Sequence, residues 1–307
     1  MSMKRLATIV ILLLVSLYLI PFTITTLSAP PVAPSIIQAQ ESPLVIAHRG
    51  GKGLWPENTL FAFNNAIKLG VDMLEMDVRS TADGTLIIMH DPQVDRTTNG
   101  QGKVSDLPWK DLQQLDAGYY WTNDKGQTYP YRNKGITIPS LSAVLTSFPE
   151  KPMIIEIKEA GIEQRVCDTI RKHNMQQHVI IGSFIAASLH TFREACPKVA
   201  TSATHNEVKN MVILDTVGLG HLYHPPAIAL QVPEYYEDRL ITSPSLLATA
   251  SQHQLWVQVW TVNDTTQMQR LIKQDINGII TDYPDRLINL KQQFFLKPVQ
   301  ASNEHAR

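Results

Sequence analysis

The amino-acid sequence predicts an α/β protein built as a closed (β/α)8 barrel, the architecture called a TIM barrel. Short apolar runs alternate with segments of helical periodicity, and eight of these runs have the length and composition of strands. Repeated strand–helix units predict parallel strands, and eight such units predict closure into a barrel. The 307 residues are enough for one barrel and a tail.

The predicted barrel strands are short apolar segments. They are Leu44–Ala47, Met73–Val78, Met153–Ile157, Val179–Ser183, Val199–Ala203, Ala227–Val232, Leu255–Val262 and Gly278–Thr281. Helical patterns predict helices over Asn58–Leu69, with Gly70 as its stop, and over Ile162–Lys172 and Ala186–Cys196.

One further strand, Leu86–Met89, breaks the strand–helix rhythm. Asp83-Gly84 lies between it and the second barrel strand and is a hairpin signal, so this strand should run antiparallel and return to the barrel mouth. If Asp83 and Gly84 are the two loop residues, Asp77 lies opposite His90. This register places a carboxylate beside an imidazole.

The N-terminal segment, residues 1–27, is expected to lie outside the barrel. Lys4 and Arg5 precede an apolar run, Leu6–Leu27, which as a helix would be roughly 33 Å long and could span a bilayer. A signal peptide has the same pattern, but the small-x-small cleavage sites are poor here, which favours an uncleaved anchor. Either interpretation predicts a catalytic domain outside the cytoplasm, membrane-anchored or exported.

Three further segments complete the predicted organisation. Residues 28–43 contain four prolines and are interpreted as a linker, residues 44–297 as the barrel domain and residues 298–307 as a tail. A net charge of −1 provides no basic field for nucleic acid. Cys167 and Cys196 fit no zinc motif, and we expect buried free thiols, although a disulfide remains open outside the cytosol.

Reactive side chains cluster near the ends of the predicted strands, where barrel enzymes hold their chemistry. Glu75 and Asp77 share one face of a strand, and Glu156 lies on the next barrel strand. Three carboxylates without a cysteine form a hard, oxygen-rich set of ligands. They predict a site for one divalent cation, Ca²⁺ or Mg²⁺ rather than Zn²⁺.

Two histidines and two cations accompany these carboxylates. His48 and His90 can act as general acid and general base, while Arg49 and Lys158 can neutralise a phosphoryl group. Trp260 is interpreted either as a substrate wall or as a core residue. A metal site, two proton carriers and nearby cations are the components that phosphodiester cleavage needs.

The ordered set of motifs resembles the successive signatures of the glycerophosphodiester phosphodiesterase family, over about Leu44 to Leu290. The matching motifs are His48-Arg49-Gly50-Gly51, Pro56-Glu57-Asn58-Thr59, Glu75-x-Asp77, His90-Asp91, Arg96-Thr97-Thr98-x-Gly100, Glu156-Ile157-Lys158, Trp260-Thr261-Val262-Asn263 and Thr281-Asp282-Tyr283-Pro284. The resemblance implies hydrolysis of glycerophosphodiesters to glycerol 3-phosphate and an alcohol.

The same resemblance implies roles for individual residues. His48 and His90 would be the acid/base pair, and Glu75, Asp77 and Glu156 would bind the metal. The short, aromatic insertion Tyr119–Tyr131 resembles that of members with lysophospholipase D activity, which act on lysophospholipids and leave lysophosphatidic acid. We therefore expect this segment to form one wall of the mouth and to favour an acyl chain.

Other interpretations are weaker. A catalytically inactive barrel acting as a binding module should have lost a histidine or a carboxylate, and none is lost. An amidohydrolase-type barrel would need a His-x-His pair on the first strand. Asp282 is interpreted as structural, and His221-x-x-His224 as a loop without metal.

Overall fold

A computed structural model describes residues 43–274 and 276–295. In chain order its strands are β1 (Leu44–Ala47), β2 (Met73–Ser80), β3 (Leu86–Ile88), β4 (Met153–Ile157), β5 (Val179–Gly182), β6 (Ala200–Thr201), β7 (Ala229–Val232), β8 (Tyr235–Tyr236), β9 (Arg239–Leu240), β10 (Trp256–Val259) and β11 (Gly278–Thr281). The helices are α1 (Leu60–Leu69), α2 (Trp109–Leu112), α3 (Leu141–Ser147), α4 (Glu163–Lys172), α5 (Ala186–Ala195), α6 (His205–Thr216), α7 (Pro244–Gln252), α8 (Thr265–Lys273) and α9 (Pro284–Phe295).

Eight strands form the predicted TIM barrel. They are ordered β6-β5-β4-β2-β1-β11-β10-β7, and every neighbouring pair is parallel. A parallel bridge between Ser202 and Ala229 joins the two ends of this series and closes the ring. Outside the ring, β3 pairs antiparallel with β2, and β8 with β9 forms a separate hairpin after β7. The predicted fold is confirmed.

The strands are apolar on both faces because both faces are buried, as in other parallel sheets. Leu44 and Ile46 of β1 belong to the small cluster inside the barrel, whereas Val45 and Ala47 pack in the larger cluster beneath the helices. Within the strands the side chains are mostly apolar and need no polar partner. Charged side chains are concentrated near the carboxyl ends of the barrel strands.

Helix α1 begins two residues later than the sequence predicted. Its N-cap is Thr59, whose hydroxyl accepts a hydrogen bond from the Ala62 amide, and Gly70 ends the helix in the left-handed conformation as expected. Asn58 does not cap the helix. Its backbone has a φ of 57°, and its side-chain amide donates to Asp77 instead.

The hairpin register differs by one residue from the prediction. Val78 pairs with Ile88 and Ser80 with Leu86, so Asp77 lies opposite Met89 rather than His90. The loop has three residues between Thr81 and Thr85, with Gly84 at a φ of 84°, instead of the two that Asp83-Gly84 suggested. An odd loop length shifts the pairing by one position.

Cys167 and Cys196 form a disulfide, so the expectation of free thiols is wrong. Cys167 lies on α4 and Cys196 directly follows α5, and these helices follow the neighbouring strands β4 and β5. Adjacent barrel strands place their helices side by side, which brings the two buried cysteines to a Cα–Cα distance of 5.8 Å.

The predicted segments at the two chain ends fall mostly outside the described residues. These are the N-terminal segment 1–27, nearly all of the linker 28–43, and the tail 298–307. Within residues 43–274 and 276–295, no helix is long and apolar enough to cross a bilayer.

Candidate active site

The predicted site residues converge on one cavity of about 700 Å³ at the carboxyl ends of the barrel strands. Seven of the eight line it: His48, Arg49, Glu75, His90, Glu156, Lys158 and Trp260. The eighth, Asp77, lies just behind this lining and is only 1% exposed. The structure therefore brings together residues that are up to 212 positions apart in sequence, from His48 to Trp260.

Glu75, Asp77 and Glu156 form a carboxylate cluster, with one oxygen of each within 4.8 Å of the others. The parallel pairing of β2 with β4 places Asp77 directly beside Glu156. Burial, together with the charge of Asp77, raises the pKa of Glu75 well above its ordinary value. Burial also raises the pKa of Glu156, against the opposing effect of Lys158.

Two cations partly neutralise this cluster. Lys158 Nζ donates to Glu156 at 2.7 Å and lies 3.6 Å from Asp77. The Arg49 backbone N–H donates to Glu75 at 2.7 Å. Arg49 Nε is buried 3.3 Å from an Asp77 oxygen without a hydrogen bond, and Nη1 donates to Glu57. Both cations predicted to bind phosphate are thus paired with carboxylates here.

The donor set of the cluster fits a hard divalent cation. It offers oxygen ligands only, from three carboxylates, and two of these carboxylates are almost fully buried. Buried like charges need a cation in contact. Lys158 pairs with Glu156 and Asp77, and Arg49 with Asp77, but no Lys or Arg side chain among the described residues forms an ion pair with Glu75. Glu75, Asp77 and Glu156 are the residues that would hold the ion, as the sequence predicted.

His48 is fixed by a carboxylate that the sequence interpretation treated as merely structural. Its Nδ1 lies 2.6 Å from Asp282 Oδ1, and its Nε2 lies 3.9 Å from Glu75. Asp282 in turn accepts a hydrogen bond from the Asn263 side chain at 2.7 Å. Burial acts to raise the pKa of Asp282, but the interaction with His48, the charge of Lys52 and the hydrogen bond from Asn263 together outweigh burial, and the pKa is lowered.

The position of Asp282 could have been predicted from the barrel. Ala47 pairs with Thr281 across the β1–β11 junction, so the residues that follow them, His48 and Asp282, emerge side by side. This junction forms only when the barrel closes, and recognising it requires the first and last strands to be treated as neighbours.

His90 has an equivalent carboxylate on its Nδ1. Asp91 Oδ1 lies 2.6 Å away, and the other Asp91 oxygen accepts from Arg96. Burial lowers the pKa of His90. Arg96 also donates two hydrogen bonds to Glu57, which joins it to Arg49. Glu57 therefore belongs to the charge network of the site.

The turn that carries His48 depends on Gly50, whose φ is 80°. A Cβ atom at this position would lie 2.8 Å from Phe63 Cδ1 and 2.9 Å from Ala62 Cβ, both on α1. A residue with a side chain would push the turn away from α1, and His48 would move with it.

The predicted aromatic wall is not part of the cavity lining. In the described residues, none of 119–131 lines the cavity. Tyr119 and Tyr129 stack on the Arg132 guanidinium, 4.1 and 4.0 Å from its carbon, and Trp121 donates to the Lys52 carbonyl. The aromatic rings of this segment contact one another, Arg132, Phe61 and the Lys52 backbone, so the expectation that it favours an acyl chain is not supported.

Trp260, interpreted as either a substrate wall or a core residue, lines the cavity. Its ring packs edge-on against Phe184, with the centroids 5.6 Å apart. His224, from the His221-x-x-His224 pattern, lies instead against His253 and does not line this cavity.

Comparison with known proteins agrees with this geometry. Residues 48–286 match the glycerophosphoryl diester phosphodiesterase family. The chain belongs to this family. A glycerophosphodiester phosphodiesterase from Caldanaerobacter subterraneus is 35% identical, over 80% of this chain and 97% of its own length. A human lysophospholipase D is 25% identical, over 81% and 86% of the two chains.

A solved structure shows the same barrel. An Oleispira antarctica phosphodiesterase, in complex with sn-glycerol-3-phosphate, superposes with a TM-score of 0.63 at 25% identity, over 80% of this chain and 96% of that one. With the family established, the protein is a phosphoric diester hydrolase, and this cavity is its candidate active site.

Replacing Asp282 by Asn tests its role in positioning His48. Asn263 donates to Asp282, so the new amide would turn its own NH2 towards His48 and disfavour the productive tautomer. We expect kcat to fall about 10²- to 10⁴-fold, with KM and metal affinity little changed.

The matched control is Asp264→Asn in the neighbouring β10–α8 loop that carries Asn263, where asparagine caps α8 as well as aspartate does. Steady-state kinetics of both variants decide the question. A kcat within threefold of wild type for Asp282→Asn would remove this residue from the mechanism.

Proposed function

We propose that this enzyme hydrolyses glycerophosphodiesters to glycerol 3-phosphate and an alcohol, using one divalent cation, Ca²⁺ or Mg²⁺. The observation that carries the proposal is a cluster of three carboxylates, two of them buried, with two carboxylate-bound histidines at one cavity. The relative from Caldanaerobacter is named for this activity, and the Oleispira phosphodiesterase holds sn-glycerol-3-phosphate, which supports the same chemistry here.

The histidines divide the proton transfers in this proposal. A carboxylate accepts the Nδ1–H of each ring, which leaves Nε2 of His48 and His90 free towards the cavity. One ring withdraws a proton from the O–H group that attacks phosphorus, either water or the substrate's own glycerol hydroxyl, and the other ring donates a proton to the departing alkoxide. If the glycerol hydroxyl attacks, water then opens the cyclic phosphate to give glycerol 3-phosphate. A divalent cation on the carboxylates supplies positive charge to the phosphoryl oxygens. Arg49 and Lys158 add charge at the cavity wall.

We expect His48→Ala and His90→Ala each to reduce kcat by about 10²- to 10⁴-fold, because each removes a general acid or base. The double variant should be little worse than either single variant, since the two act in one step. Circular dichroism and metal titration should match wild type. Near-normal turnover by either single variant would exclude that histidine.

Metal dependence has a signature of its own in the Glu75→Gln variant. The pKa of Glu75 is raised, so protons compete with the ion for this carboxylate at pH values above the usual titration range of a carboxylate. Metal affinity of the wild-type enzyme should therefore weaken as pH falls. Glu75→Gln should bind metal at least tenfold more weakly, with a flatter pH dependence. Calorimetric titration measures both, and unchanged affinity would refute the assignment.

A second candidate reaction is lysophospholipase D-like hydrolysis of lysophospholipids to lysophosphatidic acid and a head group. Apolar side chains on the cavity wall opposite the carboxylates favour it, and the human relative is named for it. Full-length enzyme incubated with glycerophosphocholine or lysophosphatidylcholine, with Ca²⁺ or Mg²⁺, separates the candidates by the phosphorylated product formed. Release of neither product would count against both.

A catalytically inactive binding module is a poorer explanation. Both histidines and all three carboxylates are present, and each is held by specific partners in a cavity. A barrel that had lost its catalytic activity would not be expected to keep two separate carboxylate–imidazole pairs in hydrogen-bonding geometry.

We propose further that the barrel works outside the cytoplasm, anchored through residues 1–27 or exported. The positive start followed by an apolar run supports this location, and so does the disulfide, because such bonds persist in oxidising compartments. Protease treatment of intact cells or spheroplasts should degrade the barrel. A protected barrel with two alkylatable thiols would contradict the proposal.

A further inference from the structure

The active-site cavity extends beyond the carboxylates to a wall built by α6. Five residues of this helix line the cavity: His205, Val208, Lys209, Val212 and Ile213. Their spacing is that of a single helical face, with steps of three, four, seven and eight residues. Part of this helix's apolar face is thus directed at the substrate cavity.

The hairpin β8–β9 and two aromatic rings continue this wall. Tyr236 of the hairpin lines the cavity, and its ring lies 5.7 Å from that of His205 on α6. Arg239 on β9 donates a hydrogen bond to the Thr216 hydroxyl at the end of α6. These contacts join the hairpin to the helix, so the wall is one built surface.

Several large apolar side chains in this region remain exposed. The exposed fraction is 68% for Phe184, 51% for Tyr236 and 48% for Ile213. Grouped exposed apolar side chains are uncommon unless they contact a ligand or partner. Here all three also line the cavity that holds the catalytic residues, and this continuity indicates an apolar part of the substrate.

We propose that this surface is a subsite for a single acyl chain, formed by Val208, Val212, Ile213, Tyr236 and Phe184. It rests on the proposed phosphodiesterase function and specifies its substrate class, glycerophosphodiesters that carry one acyl chain. The phosphodiester would lie over the carboxylate cluster, and the chain would extend across the barrel mouth to α6.

Phe184 marks the boundary between the two halves of the cavity. Its ring lies 5.9 Å from Lys158 Nζ, which contacts Glu156, and 5.6 Å from Trp260. A ligand that passes Phe184 moves directly from the charged cluster to the apolar wall. The total volume of about 700 Å³ is typical of cavities for drug-sized ligands, and a deacylated glycerophosphodiester would leave the apolar half unfilled.

The first experiment measures chain-length dependence with the full-length enzyme at a fixed detergent concentration. Lysophosphatidylcholines are lengthened two carbons at a time, below their critical micelle concentrations, and compared with glycerophosphocholine. Burial of each methylene should raise kcat/KM by up to about fourfold until the subsite is filled. A kcat/KM independent of chain length would overturn the proposal.

Variants then locate the subsite. Ile213→Ser and Tyr236→Ser should each lower the ratio of kcat/KM for lysophosphatidylcholine to that for glycerophosphocholine about tenfold. The matched control is Tyr120→Ser, because Tyr120 is similarly exposed, at 46%, but lies outside the cavity. This control should leave the ratio unchanged. Equal ratios in all three variants, or a loss in the control alone, would exclude the α6 wall.

Calorimetric binding separates this proposal from the proposed reaction. Lysophosphatidic acids of the same chain lengths are titrated into the enzyme without turnover. Binding that strengthens with chain length and weakens in Ile213→Ser supports the subsite even if no substrate is hydrolysed, in which case only the reaction is wrong. Hydrolysis of glycerophosphocholine with chain-independent binding would refute the subsite alone.

Discussion

The structure of the mouth depends on three carboxylates that lie together on two adjacent strands, two of them almost fully buried. Glu75, Asp77 and Glu156 repel one another in surroundings that also disfavour charge, which is why the pKa values of Glu75 and Glu156 are raised. The surrounding groups reduce this cost. The Asn58 side-chain amide donates a hydrogen bond to Asp77, and the Arg49 backbone N–H donates one to Glu75.

A chain of ion pairs and hydrogen bonds also links the carboxylate cluster to one of the histidines. Alternating charges run outward from the carboxylates through successive contacts between Asp77, Arg49, Glu57, Arg96, Asp91 and His90. Burial acts to raise the pKa values of Glu57 and Asp91, but their arginine partners prevail and hold both at about 2. Both stay ionised at neutral pH, so His90 keeps a charged acceptor for its Nδ1–H.

Sequence patterns predicted what local chemistry determines. Apolar runs identified the eight barrel strands, and their polar ends identified the three clustered carboxylates and both histidines. Interactions between segments distant in sequence were harder to predict. Asp282 depends on closure between β1 and β11, and the disulfide depends on two helices packing side by side. The hairpin register depended on a single additional loop residue.

The aromatic insertion illustrates a different limit of sequence interpretation. The resemblance to lysophospholipase D-like members predicted that Tyr119–Tyr131 would contact substrate. A resemblance in aromatic content does not specify which way the rings face, and Tyr119 and Tyr129 stack on Arg132, directly after this segment. The apolar wall instead comes from α6, whose mixed sequence looks like an ordinary surface helix until the barrel shows that one face meets the cavity.

This arrangement separates the demands of catalysis and selectivity within one barrel. The charged residues occupy the ends of β1, β2 and β4, where strand pairing fixes their positions relative to one another. The apolar wall lies on α6 and the β8–β9 hairpin, which no carboxylate of the cluster contacts in the described hydrogen bonds and ion pairs. Substitutions in α6 or the hairpin can therefore change which substrate tail the enzyme prefers, while the strands keep the reacting groups in place.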